Sequence, residues 1–491
     1  MRIIITIFIT LSILLPATAE CSPKKSKAYN KYYKQLDNIK INKIKELHTY
    51  MRSVENIAKS INNDKDMKDF FIMKRHLYNQ IKNTTPNDEQ LKMQSYIRES
   101  IINLYLERYM VFYDLLFIDE NGEIFYTNIR QSDFHKNIFK GSLAKTVLSK
   151  KLKENNGDLF VDYQNFDVSK EPSAFFIQPC IVKGKHIGWF VMQFAINKIN
   201  EMFSVEQHLG NTGEVFIVNE NRYMLTDSRF KVESSVLKTN LSKENISAKF
   251  KERSGHKIVT DYRGYKALTS FEVVSIMGSK WLIIAKIDEN EILTNLYTRM
   301  SKKQKKDFIH QSLSNINYKY TKQYDLLKDI EVDMDEYKRT SNNKPLYTHG
   351  VSTCTTFIFS LKNKFAYMAH VSALDKIYGG NQTDLINRIM KQIDDFDAVR
   401  MEKNNIKVQI ISPEIRYTTS VIDNLIEWGL LISQIQLTHN PKAKYANISH
   451  SQTSNTTLVN WNLQTLSTFE GQNIENVTNL AQEFKKISFF K

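Results

Sequence analysis

The chain has 491 residues, a length typical of two or three domains, and 42% of them are hydrophobic, which is enough to build folded cores. Its formal net charge of +15 favours acidic partners or anionic membrane surfaces and permits peripheral membrane contact. The basic residues are scattered and no base-reading motif occurs, so we expect solvated Lys-rich helix faces and no nucleic-acid binding. Three cysteines, an odd number, exclude a disulfide framework as the main support of the fold.

The N-terminus reads as a bacterial secretory signal over 1–19. Arg2 precedes an apolar run that ends at Pro16, and Ala17-Thr18-Ala19 offers small residues for cleavage. The run is too short for a spanning helix, and no later stretch reaches eighteen apolar residues. The sequence therefore predicts a mature protein that is periplasmic or secreted.

Helical spacing dominates residues 25–113, and strand patterns follow. One helix is predicted with a stripe formed by Ile41, Ile44, Leu47, Met51 and Ile57. A second helix is predicted over "DEQLKMQSYIRESIINLYLERYM". The stretches "YDLLFIDENGEIFYTN" and "SAFFIQPCIVKGKHIGWFVMQF" then read as hairpins, and "GNTGEVFIVNENRYMLTDSRF" begins a second strand set. Helices followed by two consecutive strand sets predict an α+β fold.

These segments, together with "DYRGYKALTSFEVV" and "WLIIAKIDENEI", resemble the double Cache extracellular sensor of bacterial chemoreceptors and sensor kinases over 25–292. The resemblance implies two PAS-like modules, a distal one at about 110–200 and a proximal one at about 205–290. In that family the distal module usually binds a small ligand.

The resemblance implies a pocket for an amino acid, amine or carboxylate, because an Arg–Asp pair in a partly apolar cup suits such ligands. The alternative is that the residues only support the strands. The implied lining is Tyr126, Arg130, Asp133, Asp162, Tyr163 and Phe176.

A charged segment, 293–341, is predicted to be a helical linker at the place where receptors of this family cross the membrane. The chain then carries a predicted sheet–helix–strand–helix–sheet domain over 342–491. Helices are predicted near "TDLINRIMKQIDDF" and "TSVIDNLIEWGL", and strands at "NIKVQIIS", "ISQIQLTHN", "KAKYANISH" and "NTTLVNWNL". We expect an α/β sandwich of ordinary domain size.

"THGVSTCTTFIFSLKNKFAYMAHVS" opens this last domain and resembles the catalytic segment of the CheD-family chemoreceptor glutamine deamidases. "VSTCTT" is also similar to the box of the cytotoxic necrotising factor deamidases. The resemblance implies a catalytic Cys354, His370 and Thr348, and a protein substrate. It departs from the family where "SPEIRYTTS" replaces a glycine-rich segment and where Ser352-Thr353 replaces Gly-Ser.

The chemistry suits these residue types. A cysteine has a pKa of roughly 8.5, so a histidine is needed to take its proton before the thiolate attacks a glutamine amide. The alternative is an ordinary core cysteine, because cysteine is among the most buried residue types. His349, His439 and His450 lack metal-ligand spacing and are expected at the surface, so we predict no metal and no cofactor.

Two functions therefore stay open. The first is an exported, chemotaxis-related sensor fused to a protein-glutamine deamidase, with transglutamination as a close variant. The second is a non-enzymatic extracytoplasmic binding protein with a degenerate deamidase-like domain. A cysteine protease fits less well, because no helix carrying a cysteine and no distant Asn/His pair is evident.

Overall fold

The computed structural model describes residues 23–82, 87–90, 92–93, 96, 99–100, 104, 108–109, 111–129, 132–154, 157–166, 168, 171–204, 209–314, 324–372, 382–397, 403–413, 418–463, 469–473 and 478–485. The predicted signal sequence lies outside these residues, and the second predicted helix lies mostly outside them. No helix in this part of the chain is long and apolar enough to cross a membrane.

Two helices begin the described chain, α1 over Pro23–Ser60 and α2 over Lys65–Ile81. The side chain of Asp64 caps α2 by accepting a hydrogen bond from the Met67 amide at 3.2 Å. The predicted stripe of α1 is partly wrong, since Leu47 and Met51 are buried but Ile41 is 54% exposed.

The buried face of α1 is displaced toward two lysines. Lys40 and Lys43 are buried because their ammonium groups pair with Glu272 at 3.4 Å and with Glu46 at 3.0 Å. A pattern of apolar residues cannot identify a buried lysine whose charge is paired. The predicted stripe therefore left out Lys40 and Lys43 and included the exposed Ile41.

The distal module is a five-stranded antiparallel sheet in the order β2-β1-β5-β4-β3. Its strands are β1 Asp114–Asp119, β2 Ile124–Thr127, β3 Leu159–Phe166, β4 Glu171–Val182 and β5 Lys185–Ala195, and α3 covers Val147–Glu154. One face packs on α1 and α2, and the other on α3 with the loops around it. Gly188 is required where β5 meets β1, because an added Cβ would lie 2.1 Å from the Ile118 carbonyl oxygen.

The proximal module repeats the plan with a four-stranded sheet in the order β6-β9-β8-β7. Its elements are α4 Asn197–Ser204, β6 Glu214–Asn219, α5 Lys243–Glu252, β7 Ser254–Thr260, β8 Lys266–Ile276, β9 Ser279–Asp288 and α6 Glu289–Thr298. Trp281 of β9 donates a hydrogen bond to Asp162 of the distal module at 3.1 Å. The two modules therefore contact each other directly.

The C-terminal region contains two sheets, with orders β11-β14-β13-β15-β16-β20 and β10-β12-β17-β18-β19. The six-stranded sheet holds β11 Glu336–Thr340, β13 Thr355–Leu361, β14 Phe365–Val371, β15 Lys407–Ser412, β16 Ile435–His439 and β20 Thr478–Asn479. The five-stranded sheet holds β10 Ile330–Glu331, β12 Leu346–Val351, β17 Ala443–Ser451, β18 Thr456–Leu463 and β19 Phe469–Asn473. The helices are α7 Lys302–Ser314, α8 Gln382–Gln392, α9 Thr418–Glu427 and α10 Leu480–Phe484.

Every strand predicted for this region is present, and α8 and α9 confirm the two predicted helices. The segment predicted as a helical linker carries α7 but also contributes β10 and β11 to the sheets. These two strands are short, mostly exposed and charged, so they lack the apolar alternation by which strands are recognised.

The proximal module and the C-terminal region share a continuous apolar core. Tyr297 of α6 and Phe308 of α7 pack with Phe484 of α10, the last two rings 5.1 Å apart. The Ile432 amide donates to the Thr294 hydroxyl at 3.0 Å across the same boundary. The two regions are therefore packed against each other and not merely tethered.

Candidate functional site

Cys354 and His370 lie on the same face of the six-stranded sheet. Along β13 and β14 the even-numbered residues, such as Ile358 and Met368, enter the layer between the two sheets. Thr356 is the register partner of His370, and Cys354 is two residues before Thr356. Cys354 and His370 are thus diagonal neighbours across the hairpin.

Thr348 reaches His370 from the opposite sheet. It lies on β12, not on the strand of the cysteine, and its hydroxyl oxygen is 2.8 Å from His370 Nδ1. The same hydroxyl donates to the Val332 carbonyl oxygen at 2.8 Å. Because a hydroxyl has one hydrogen, it must accept from Nδ1–H, so the neutral imidazole carries its lone pair on Nε2.

His370 is 4% exposed, and its Nε2 has no hydrogen-bond partner among the described residues. Burial lowers the pKa of His370 below its usual value of 6.5, an effect opposed by the charge of Asp335. The imidazole is therefore neutral at pH 7. It presents an unused basic nitrogen to the layer between the sheets.

Cys354 is held at the end of this layer. Ser412 donates to its carbonyl oxygen at 2.8 Å, and neither Cys354 nor Cys180 forms a disulfide. The Cys354 side chain packs among apolar residues and the residue is only 7% exposed. The Met334 thioether, on a residue that is 56% exposed, lies 3.9 Å from the Cys354 sulfur and covers it.

The segment that carries Met334 crosses the site as a strap, defined here as 332–335. Its Val332 carbonyl accepts from Thr348, and the Asp335 amide donates to the His370 carbonyl at 2.6 Å. The Asp335 carboxylate accepts from the Ser372 amide at 2.8 Å. Through Met334 the strap therefore lies against the Cys354 sulfur.

The structure describes five of the six residues expected around the ligand of the distal module. Tyr126, Tyr163 and Phe176 belong to the core that faces α1 and α2. Asp162 contacts Trp281 at the boundary between modules. Asp133 is buried and its charge acts on Asp114, the first residue of β1, and Arg130 lies outside the described residues.

Asp114, the first residue of β1, is a candidate site residue that was not predicted from the sequence. It is fully buried, and its Oδ1 accepts from the amides of Leu115, Asn128 and Ile129 at 2.8, 2.8 and 3.1 Å. Burial, with a smaller contribution from the charge of Asp133, raises the pKa of Asp114 to about 7. The signal available in the sequence was the aspartate that begins the strand "DLLFID", directly before its apolar residues.

Asp114 Oδ2 and Asp133 Oδ1 are buried and have no hydrogen-bond partner among the described residues, and the charge of Asp133 acts on Asp114. Burial also raises the pKa of Asp133. On the same face, Gln193 is the register partner of Asp114, and its Oε1 is likewise unpaired there. Unpaired buried acceptors in one place are costly unless a donor reaches them.

Within the described part of the chain, no group of three or more His, Cys, Asp or Glu side chains is arranged to hold a metal ion. His349 is exposed and pairs with Glu331 at 2.9 Å. The surface placement expected for His450 is wrong, because it is 1% exposed and its Nδ1 is 2.8 Å from the Thr457 hydroxyl. His450 can be buried because Thr457 on the neighbouring strand satisfies one of its ring nitrogens. From the sequence it had been expected beside a turn.

A family model described as "Cache domain" matches residues 26–296, more than half of the chain. The chain belongs to the Cache domain family. Its N-terminal part is a double Cache sensor domain, and the C-terminal sheets lie outside the matched residues.

The chain is similar to several solved structures at low sequence identity. A domain of a sensory box/GGDEF family protein from Vibrio parahaemolyticus has 10% identity and a TM-score of 0.38, covering 55% of this chain and 99% of that one. The ligand-binding domain of the Pseudomonas fluorescens chemoreceptor CtaA, in complex with L-serine, has 11% identity and a TM-score of 0.33, and the match covers 54% of this chain and 99% of that one. The ligand-binding domain of the Pseudomonas aeruginosa chemoreceptor PctB, in complex with L-Arg, has 13% identity and a TM-score of 0.29, and the match covers 50% of this chain and 97% of that one. No curated protein matches the chain.

Proposed function

We propose that the distal Cache module binds a small ligand through an ammonium group, which Asp114 and Asp133 hold. The observation that carries this proposal is the pair of unpaired, buried carboxyl oxygens, Asp114 Oδ2 and Asp133 Oδ1. An ammonium group has three donors and no acceptor, so it satisfies both oxygens at once. It also offsets the cost of ionising two nearby buried acids.

Titration calorimetry of the full chain with ethylamine hydrochloride tests this proposal. We expect binding by the native protein and at least tenfold weaker binding by Asp114→Asn, which keeps the acceptor for the three backbone amides. Asp69→Asn, on the exposed face of α2, is the matched control. Because the pKa of Asp114 is about 7, binding at pH 7 should release a proton. No binding by the native chain, or equal binding by Asp114→Asn, refutes the proposal.

We further propose that the C-terminal region is a thiol hydrolase that deamidates glutamine side chains of proteins. The specific support is the His370 imidazole, whose Nδ1 is engaged by Thr348 and whose buried Nε2 is unused, on the face that also carries Cys354. This is the pairing that an activated thiol needs: a base within the same layer, oriented by a third group.

The reaction follows from these roles. His370 Nε2 takes the proton from Cys354, and the thiolate forms a bond to the amide carbon of glutamine. The tetrahedral adduct collapses as the C–N bond breaks, and the imidazolium returns the proton to the departing ammonia. Water, deprotonated by the same nitrogen, then attacks the thioester and breaks the C–S bond, leaving glutamate and the free thiol.

A mass assay tests the deamidase. The chain is incubated with candidate extracytoplasmic proteins, and each converted glutamine should add about one dalton and release ammonia. Cys354→Ser and His370→Ala should abolish the gain. Full activity in Cys354→Ser would refute the mechanism. Incorporation of an added primary amine in place of water would instead assign transglutamination.

The alternative is a non-enzymatic binding protein, and thiol labelling separates the two. An activated Cys354 should react with iodoacetamide well below pH 8, and His370→Ala should suppress that reaction. Burial raises the pKa of Cys180 to about 12, so Cys180 serves as an internal slow thiol. Peptide mapping assigns the label to each cysteine. A Cys354 as slow as Cys180 would favour the binding protein.

A further inference from the structure

The proximal module encloses a small cavity that neither proposal above uses. It lies beneath α5, with a volume of about 80 Å³, and apolar side chains form much of its wall. These are Phe216, Leu241, Ile246, Val259 and Ile284. A cavity needs only about 10–15 Å³ of such space to admit one water, so this one has room for a molecule of several heavy atoms.

Lys249 of α5 lies in the wall of this cavity and is 1% exposed. Its ammonium group makes a long hydrogen bond of 3.4 Å to the Asn245 carbonyl and sits 5.5 Å from the Phe271 ring centre. It has no acidic group within 4.0 Å among the described residues. A buried ammonium so weakly satisfied is costly, since its three donors want acceptors.

The other buried cation of the wall is already neutralised. Lys286 pairs with Glu214 at 3.1 Å and with Asp261 at shorter range. Arg263 nearby pairs with Asp261 at 2.8 Å and also with Asp288. The buried acids of this cluster are thus engaged by other cations, and Lys249 is left as the cation that an incoming anion would meet.

We propose that the proximal module holds a second ligand site, in which Lys249 binds the carboxylate of a small monocarboxylic acid of about two to four carbon atoms. The apolar wall receives the alkyl part, and the carboxylate supplies the missing acceptors. An inorganic anion would neutralise the Lys249 ammonium group but would not contact the apolar side chains of the wall. The site is independent of the amine site in the distal module, because it uses other residues and the opposite charge.

Titration of the full chain with sodium propionate tests the proposal. We expect binding by the native chain and by Lys251→Met, an exposed lysine of the same helix, and at least tenfold weaker binding by Lys249→Met. Methionine keeps the length and apolar stem of lysine. Propionate binding should persist in Asp114→Asn, and ethylamine binding should persist in Lys249→Met, so failure of one site does not imply failure of the other.

A measurement on the native chain guards against a variant that does not fold. Burial lowers the pKa of Lys249 to about 8, so at pH 9 much of the group is neutral and propionate binding must take up a proton. The binding enthalpy at pH 9 should therefore depend on the ionisation enthalpy of the buffer. No binding of propionate, equal binding by Lys249→Met, or a buffer-independent enthalpy at pH 9 would overturn the proposal.

Discussion

Replacing Asp114 by asparagine should change how the stability of the distal module depends on pH. The pKa of Asp114 rises from 3.8 to about 7 on folding, mainly through burial. A rise of this size corresponds to about 4 kcal/mol, because one pKa unit is about 1.4 kcal/mol. Asparagine keeps the shape and the acceptor but cannot ionise.

The sign follows from proton binding. Between the unfolded and the folded pKa, the folded state holds a proton that the unfolded state has lost, so stability falls as pH rises through this window. The contribution of Asp114 is fully present below about pH 4 and is lost above about pH 7. Asp114→Asn should remove this fall of about 4 kcal/mol.

Hydrogen exchange of β1 and β5 peptides between pH 4 and pH 8, corrected for intrinsic rates, measures the opening free energy of this module separately from the rest of the chain. The quantity that decides is the difference in pH slope between the native chain and Asp114→Asn, since Asp133 contributes to both. Asp69→Asn should keep the native slope. Equal slopes for the native chain and Asp114→Asn would show that Asp114 stays ionised when folded, and the reasoning about burial would be wrong.

Other consequences concern the strap, the histidine and the sheet. Met334→Ala should speed iodoacetamide labelling of Cys354 several-fold, because it removes the side chain that covers the sulfur. Met334→Leu keeps a side chain of similar size and should label at nearly the native rate. Equal labelling rates for the native chain and Met334→Ala would show that the strap does not limit access. Thr348→Val should cost about 1–3 kcal/mol of unfolding free energy, because it strands the Val332 carbonyl and His370 Nδ1–H, and should flatten the pH profile of Cys354 labelling; an unchanged profile contradicts the positioning role. Gly188→Ala should destabilise the distal module by at least about 2 kcal/mol in hydrogen exchange, and near-native protection would contradict the close packing of β1 and β5.

The sequence alone was sufficient to predict the helices, strands and hairpins whose residues follow a regular local pattern. Alternation along "TTFIFS" and "FAYMAHV" places Cys354 and His370 on one face, because a tight hairpin determines its own register. The order of helices and strands likewise led to the Cache resemblance, which the match over 26–296 confirms.

Tertiary structure decided which distant groups meet. Thr348 reaches His370 only because two sheets stack, and Met334 covers Cys354 only because the strap folds back over the hairpin. Asp114 and Lys249 look like ordinary charged residues in the sequence, yet both are buried: Asp114 keeps an unpaired carboxyl oxygen, and Lys249 lines a cavity. The pKa values and hydrogen bonding of these residues depend on burial and on contacts between distant segments. Both depend on how the whole chain packs, so a local sequence pattern cannot predict them.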